Sequence, residues 1–93
     1  MKKSVVERRA EPRRPVEGDV RLRRSGEIAA PFTGSLVDVS PAGFRTRHSC
    51  LTLASGDQVE FELDGRRGAA RAMWTRIVDG QAETGFNILR EAG

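Results

Sequence analysis

The chain has 93 residues, one cysteine and a formal net charge of +3. This length allows one small domain with little room for a deep active-site cavity. A single cysteine excludes an internal disulfide, which fits a reducing compartment. The N-terminus lacks the apolar stretch of a signal peptide, and no apolar run approaches the ~20 residues of a membrane-spanning helix. We therefore expect a cytoplasmic domain that does not insert into a membrane.

Positive charge is concentrated at the N-terminus. Residues 1–24 contain nine Lys or Arg and four Asp or Glu, whereas residues 25–93 contain seven and nine. Residues 1–15 lack hydrophobic periodicity and include Pro12 and Pro15, so we expect a flexible, arginine-rich N-terminal arm. A basic arm on a slightly acidic body suggests an anionic partner, although a solubilising tail has the same composition.

From residue 16 to about residue 90 the sequence predicts β-strands. Apolar positions alternate with charged ones, or β-branched residues cluster, in residues 20–23, 36–39, 44–47 and 59–63. The strict alternation of residues 59–63 indicates one buried face, with Phe61 at a core position. Phe86 suits the core for the same reason.

Two Asp-Gly pairs mark tight turns in the second half of the chain. Asp64-Gly65 and Asp79-Gly80 favour type I′ turns, which join antiparallel strands at residues 59–63, 69–76 and 81–89. Such strands at roughly ten-residue spacing predict an all-β fold, a small antiparallel sandwich or barrel. We expect residues 51–57 to form a short helical turn and residues 89–93 to form at most one.

Enzyme chemistry has little support in the sequence. His48 and Cys50 would share a strand face, but no third orienting group or oxyanion site accompanies this pair. We expect His48 on the surface and Cys50 in packing. One His and one Cys cannot supply the three or four ligands of a metal site. The segment Gly65–Gly68 lacks the Lys-Ser/Thr ending of a phosphate-binding loop, and we expect it to form an exposed turn. The sequence thus predicts no enzyme, no metal and no cofactor.

Non-specific binding of single-stranded nucleic acid is an alternative function, and one observation argues against it. Small barrels of that kind stack bases on exposed aromatic side chains. Here tyrosine is absent and the chain has four Phe and one Trp. The basic arm alone would bind phosphates without selectivity. We therefore do not expect a nucleic-acid partner.

The arginine motif, Arg9 and Arg13, lies in a segment that Pro12 and Pro15 keep out of a helix interior. In a loop both guanidinium groups can reach one ligand. Guanidinium is planar and always charged, and it forks onto phosphate oxygens or onto guanine O6 and N7. The arginine motif therefore suits an anionic guanine nucleotide.

The turn motif, Asp38–Gly43, follows a predicted strand. Its carboxylate at Asp38 can accept the N1 and N2 hydrogens of guanine, a donor pair that adenine lacks. Ser40 can bond to a phosphate oxygen or a base edge, and Gly43 allows a tight turn and close approach. The same residues also occur in ordinary turns, so the indication comes from both motifs together.

In combination the two motifs resemble those of the PilZ domain family, in which Arg-x-x-x-Arg precedes Asp/Asn-x-Ser-x-x-Gly. The resemblance covers roughly residues 7–90 and includes the late segments 72–76 and 83–87. It implies a six- to seven-stranded antiparallel β-barrel at residues 16–90 that binds cyclic di-GMP. Many members end with a C-terminal helix, whereas here we expect little or none.

The resemblance also implies which residues meet the ligand. Arg9 and Arg13 would clamp phosphate and guanine, and Arg8 would assist them. Asp38 and Ser40 would form hydrogen bonds with guanine, and Gly43 would leave room for the ligand. Trp74 would line the site or pack in the core. Binding would order the arm, and the domain would act as a stand-alone adaptor on an unidentified effector protein. A ligand-independent protein-interaction module is the alternative.

Overall fold

The computed structural model describes residues 14–15, 18–26 and 30–92, and the regular elements of this part are all β-strands. The strands are β1 (Arg14–Pro15), β2 (Asp19–Arg24), β3 (Phe32–Ser40), β4 (Gly43–His48), β5 (Gln58–Leu63), β6 (Arg66–Val78) and β7 (Gln81–Ala92). Each strand predicted from the sequence lies within one of β2 to β7. The described residues contain no helix that could cross a membrane.

Six strands close into a barrel, which confirms the predicted fold. The order around the ring is β3-β2-β5-β6-β7-β4, and β4 pairs back onto β3, always antiparallel. The seventh strand, β1, pairs with Val39 and Asp38 near the end of β3, whereas β2 pairs with residues 32–35. Two successive pieces of chain, β1 and β2, therefore share one edge of β3.

The core fills the inside of the ring because alternate residues of each strand point inward. In β5, for example, Val59, Phe61 and Leu63 are buried and the residues between them are exposed. Phe44 lies between Phe61 and Phe86, with ring centroids 5.3 and 5.1 Å away. Both predicted core residues, Phe61 and Phe86, are buried. Each such side chain contributes roughly 1.5–3 kcal/mol to folding.

The tight turns at both Asp-Gly pairs are confirmed by their backbone angles. Asp64 and Gly65 have φ of 52° and 81°, and Asp79 and Gly80 have φ of 53° and 79°. Positive φ at both central positions defines the type I′ turn, whose twist suits antiparallel strands. The exposed turn predicted for Gly65–Gly68 is shorter than expected, because β6 begins at Arg66.

The helical turn expected at residues 51–57 is wrong. This segment forms two separate turns, and Asp57 stabilises the second. Its carboxylate accepts the Ala54 backbone N–H at 2.9 Å, and its own N–H donates to the Ala54 carbonyl at 3.0 Å. A side chain that bonds locally to backbone offers an alternative to helical hydrogen bonds. Residues 89–92 likewise continue β7 as a strand.

The surface position predicted for His48 is also wrong. His48 is 2% exposed, at the inner face of β4 beside the Phe32 ring. The Cys50 backbone N–H donates to Nδ1 at 3.1 Å, so Nε2 carries the proton and donates to the Thr84 hydroxyl at 2.8 Å. Thr84 shares a further hydrogen bond with Thr75. This network satisfies a buried neutral imidazole, and Cys50 packs against the core as predicted.

We expect the stability of the domain to fall as the pH drops below about 6.5, the ordinary pKa of histidine. Burial lowers the pKa of folded His48, so the unfolded chain takes up a proton first. The loss is at most about 1.4 kcal/mol per pH unit until the folded pKa is passed. Urea unfolding between pH 7.5 and 5.5 measures it. His48→Gln removes the only histidine; an equal pH dependence in this variant would assign the effect to other groups.

Candidate functional site

The turn motif lies where β1 meets the barrel wall. Arg14 pairs with Val39, and Pro15 pairs with Asp38. On its other side Asp38 pairs with Arg45 of β4, and the register shifts between Leu36 and Asp38. A bulge of this kind re-aims the side chains that follow it. Asp38 therefore lies between the chain that leaves the N-terminal arm and the wall formed by β4.

Asp38 makes a close ion pair with Arg45. The Arg45 Nε donates to Asp38 Oδ2 at 2.8 Å, and Nη2 donates to the same oxygen. Asp38 is only 5% exposed, so its charge would be costly without this partner. The hydrogen bond and charge of Asp38 raise the pKa of the Arg45 guanidinium still further, although burial opposes them. The Arg45 guanidinium is therefore charged at neutral pH.

Ser40 and Gly43 pair across a two-residue turn that joins β3 to β4. Ser40 is 6% exposed, and its hydroxyl lies 3.5 Å from the Gly43 carbonyl. A Cβ at Gly43 would lie 2.0 Å from the Phe86 carbonyl oxygen. The close approach of β7 therefore requires glycine here, independently of any ligand. Room for a ligand at Gly43 stays a prediction.

A row of paired residues connects Asp38 to Trp74. Asp38 pairs with Arg45, Arg45 with Gly85, and Gly85 with Trp74. The Trp74 ring lies against Gly85, where an added Cβ would be 2.5 Å from it. Trp74 is 37% exposed, and the Arg76 guanidinium lies 5.5 Å from its ring centroid. Trp74 is thus on the outer wall, so the alternative that it packs in the core is wrong, and its role in lining the site stays a prediction.

Glu83 is a second buried carboxylate on this wall, and sequence analysis missed it. It is 2% exposed, and its oxygens lie 3.4, 3.6 and 3.9 Å from Arg76, Arg47 and Arg45. The pairings of Arg47 and Arg76 with Glu83 explain two of these contacts. The alternation of Arg45 and Arg47 in β4 was the available signal, because alternate residues share a face.

The structure brings four of the seven predicted site residues to one face of the barrel: Asp38, Ser40, Gly43 and Trp74. The other three, Arg8, Arg9 and Arg13, lie outside the described residues. Within the described ranges no group of three or more His, Cys, Asp or Glu could hold a metal ion.

Comparison with known protein families gives a match over most of the sequence. The model of the PilZ domain matches residues 7–91, nearly the whole chain. The chain belongs to the PilZ domain family. PilZ domains are non-catalytic receptor domains for cyclic di-GMP. No curated protein shows significant similarity to this PilZ domain.

A groove of about 590 Å³ lies elsewhere on the PilZ barrel, on β2, β5 and the far half of the β6–β7 hairpin. Arginine and glutamate side chains line it together, and Arg23 already pairs with Glu60. No residue of the turn motif lines this groove, so the candidate site is described on the face that contains Asp38.

We expect Gly43→Ala to destabilise the ligand-free domain by at least about 2 kcal/mol, because its methyl group would overlap the Phe86 carbonyl. Gly26→Ala is a suitable control. Nothing lies within 4 Å of a Cβ at Gly26, but its φ of +79° costs a side chain about 1 kcal/mol. Urea unfolding compares the two. Equal stability of both variants would contradict the steric requirement at Gly43.

Proposed function

We propose that this PilZ domain binds cyclic di-GMP between the arginine motif and the turn motif. The pairing of β1 with β3 carries the proposal. Arg13 is joined directly to Arg14, the residue that pairs with Val39 of the turn motif. This pairing supports the proposal that two motifs about 25 residues apart in sequence meet at one ligand.

The two motifs have complementary chemical roles in this proposal. The guanidinium groups of Arg8, Arg9 and Arg13 bind the phosphates and the O6 and N7 edge of guanine. The Asp38 carboxylate accepts the N1 and N2 hydrogens of the base. The carboxylate belongs to the rigid wall, whereas the arginines belong to the arm. Selectivity for guanine and affinity for phosphate thus arise in different parts of the chain.

We further propose that ligand binding orders the arm and turns the domain into an adaptor for an effector protein. Ordering costs about 1–2 kcal/mol for each fixed backbone residue. Charge-assisted hydrogen bonds contribute roughly 1.5–3 kcal/mol each and offset this cost. The ordered arm and the bound nucleotide would present a surface that the free domain lacks.

We expect the purified domain to bind cyclic di-GMP and Arg9→Ala with Arg13→Ala to weaken binding at least about 100-fold. Two lost charge-assisted hydrogen bonds account for this factor. Calorimetry measures the affinity. Arg66→Ala with Arg67→Ala is the control, since it removes the same charge from β6, outside the proposed site. Equal losses in both double variants would indicate binding through net charge alone.

The same calorimetry separates the proposed receptor from its two alternatives. A receptor prefers cyclic di-GMP to cyclic di-AMP and keeps this preference at physiological salt. A non-specific nucleic-acid binder takes both and loses affinity steeply with salt. A ligand-independent interaction module binds neither at micromolar concentration.

We expect cyclic di-GMP to change the fluorescence of Trp74. The chain has one Trp and no Tyr, so the signal comes from the exposed ring beside the turn motif. The change should saturate with the affinity found by calorimetry, and in Asp38→Ala it should require a higher concentration of cyclic di-GMP. Calorimetric binding without a fluorescence change would place the ligand away from Trp74.

A further inference from the structure

Arg45 lies between two buried carboxylates of the outer wall. On one side its Nε and Nη2 both donate to Oδ2 of Asp38. On the other side its Nη1 lies 3.9 Å from Oε2 of Glu83. Asp38 belongs to β3, Arg45 to β4 and Glu83 to β7, so one guanidinium connects three adjacent strands. The position of Arg45 is fixed from both directions.

This arrangement fixes the orientation of the Asp38 carboxylate. A free carboxylate rotates about its terminal torsion with broad freedom. Two donors from one planar guanidinium group converge on Oδ2 and hold it in place, and a carboxylate only accepts hydrogen bonds. Recognition of the guanine N1 and N2 hydrogens requires an acceptor in a defined orientation. Arg45 supplies that orientation to the residue proposed to read the base.

Arg45 is less suited to bind a phosphate than Arg47 and Arg76, the neighbouring arginines on the wall. Its side chain is 31% exposed, compared with 45% for Arg47 and 61% for Arg76. Its Nε and Nη2 donate to Asp38, and its Nη1 lies 3.9 Å from Oε2 of Glu83. A ligand would have to break the bond to Asp38 in order to take these donors. The contacts of Arg45 thus favour a role that acts through Asp38.

We propose that Arg45 is a positioning residue for guanine recognition, which acts by holding the Asp38 carboxylate. This inference rests on the proposed binding of cyclic di-GMP and extends it to a residue outside both motifs. The signature of such a role is loss of selectivity between bases, in addition to any loss of affinity.

The test is the ratio of the dissociation constants of cyclic di-AMP and cyclic di-GMP in a double-mutant cycle. We expect Arg45→Gln to lower this ratio by about tenfold, within the range that a bidentate contact to a base provides. In the Asp38→Ala background Arg45→Gln should have no further effect on the ratio, because the group that it positions is gone. Independent effects of the two substitutions would overturn the proposal in favour of direct contact with the ligand.

Two further variants separate positioning from charge and from folding. Arg47→Gln removes the same charge two residues along β4, near Glu83, and should leave the ratio unchanged. Arg45→Lys keeps the charge but lacks the planar fork, so it should restore affinity more than selectivity. Arg45→Lys also tests the proposal if Arg45→Gln does not fold. Full selectivity in Arg45→Lys would overturn the need for the fork.

The outcome for the parent domain separates this inference from the proposed function. If the parent binds neither nucleotide, the proposed function fails and the role of Arg45 falls with it. If the parent selects cyclic di-GMP and both Arg45 variants keep the same ratio, only the positioning role is wrong.

Discussion

The pairing of β3 with β4 closes the ring, and the candidate site is built on that closure. β3 carries β2 and β1 along one edge and β4 along the other. The two-residue turn between β3 and β4 brings the Ser40 hydroxyl close to the Gly43 carbonyl, and Ala42 accepts the Ile88 backbone N–H at 2.8 Å. The turn motif is therefore bound to β7 as well as to its own strands. Ligand groups at this turn would meet a wall that three strands support.

The arginines of this wall surround two buried carboxylates. Asp38 and Glu83 are 5% and 2% exposed, and the arginines that face them cover them. Buried ion pairs contribute little net stability, because desolvation offsets much of their attraction. Their value here is geometric. Each carboxylate orients guanidinium groups, and each guanidinium limits the rotation of a carboxylate.

Most of the fold follows from local sequence signals. Strict alternation in β5 and the Asp-Gly turns after β5 and β6 depend on neighbouring residues alone, so the sequence was enough to predict them. His48 was misplaced because its burial depends on Thr84, a residue 36 positions away whose hydroxyl accepts a hydrogen bond from its Nε2. Glu83 and Arg45 escaped notice for a similar reason. The contacts of Glu83 form only when β4 and β6 lie beside β7, and the bond between Arg45 and Asp38 forms only when β3 pairs with β4. The alternation of Arg45 and Arg47 indicates a shared face but not which strands lie next to it.

The closed ring also determines how the domain can respond to a ligand. Each of β2 to β7 is hydrogen-bonded on both sides, so a strand cannot leave the wall without breaking two ladders. Unfolding is then expected to be cooperative over the whole barrel. A ligand seated on such a wall stabilises every strand at once, by about 2.7 kcal/mol at a concentration one hundred times its dissociation constant. A ligand bound at one small patch therefore raises the stability of the entire domain, and the melting temperature of the domain measures this rise.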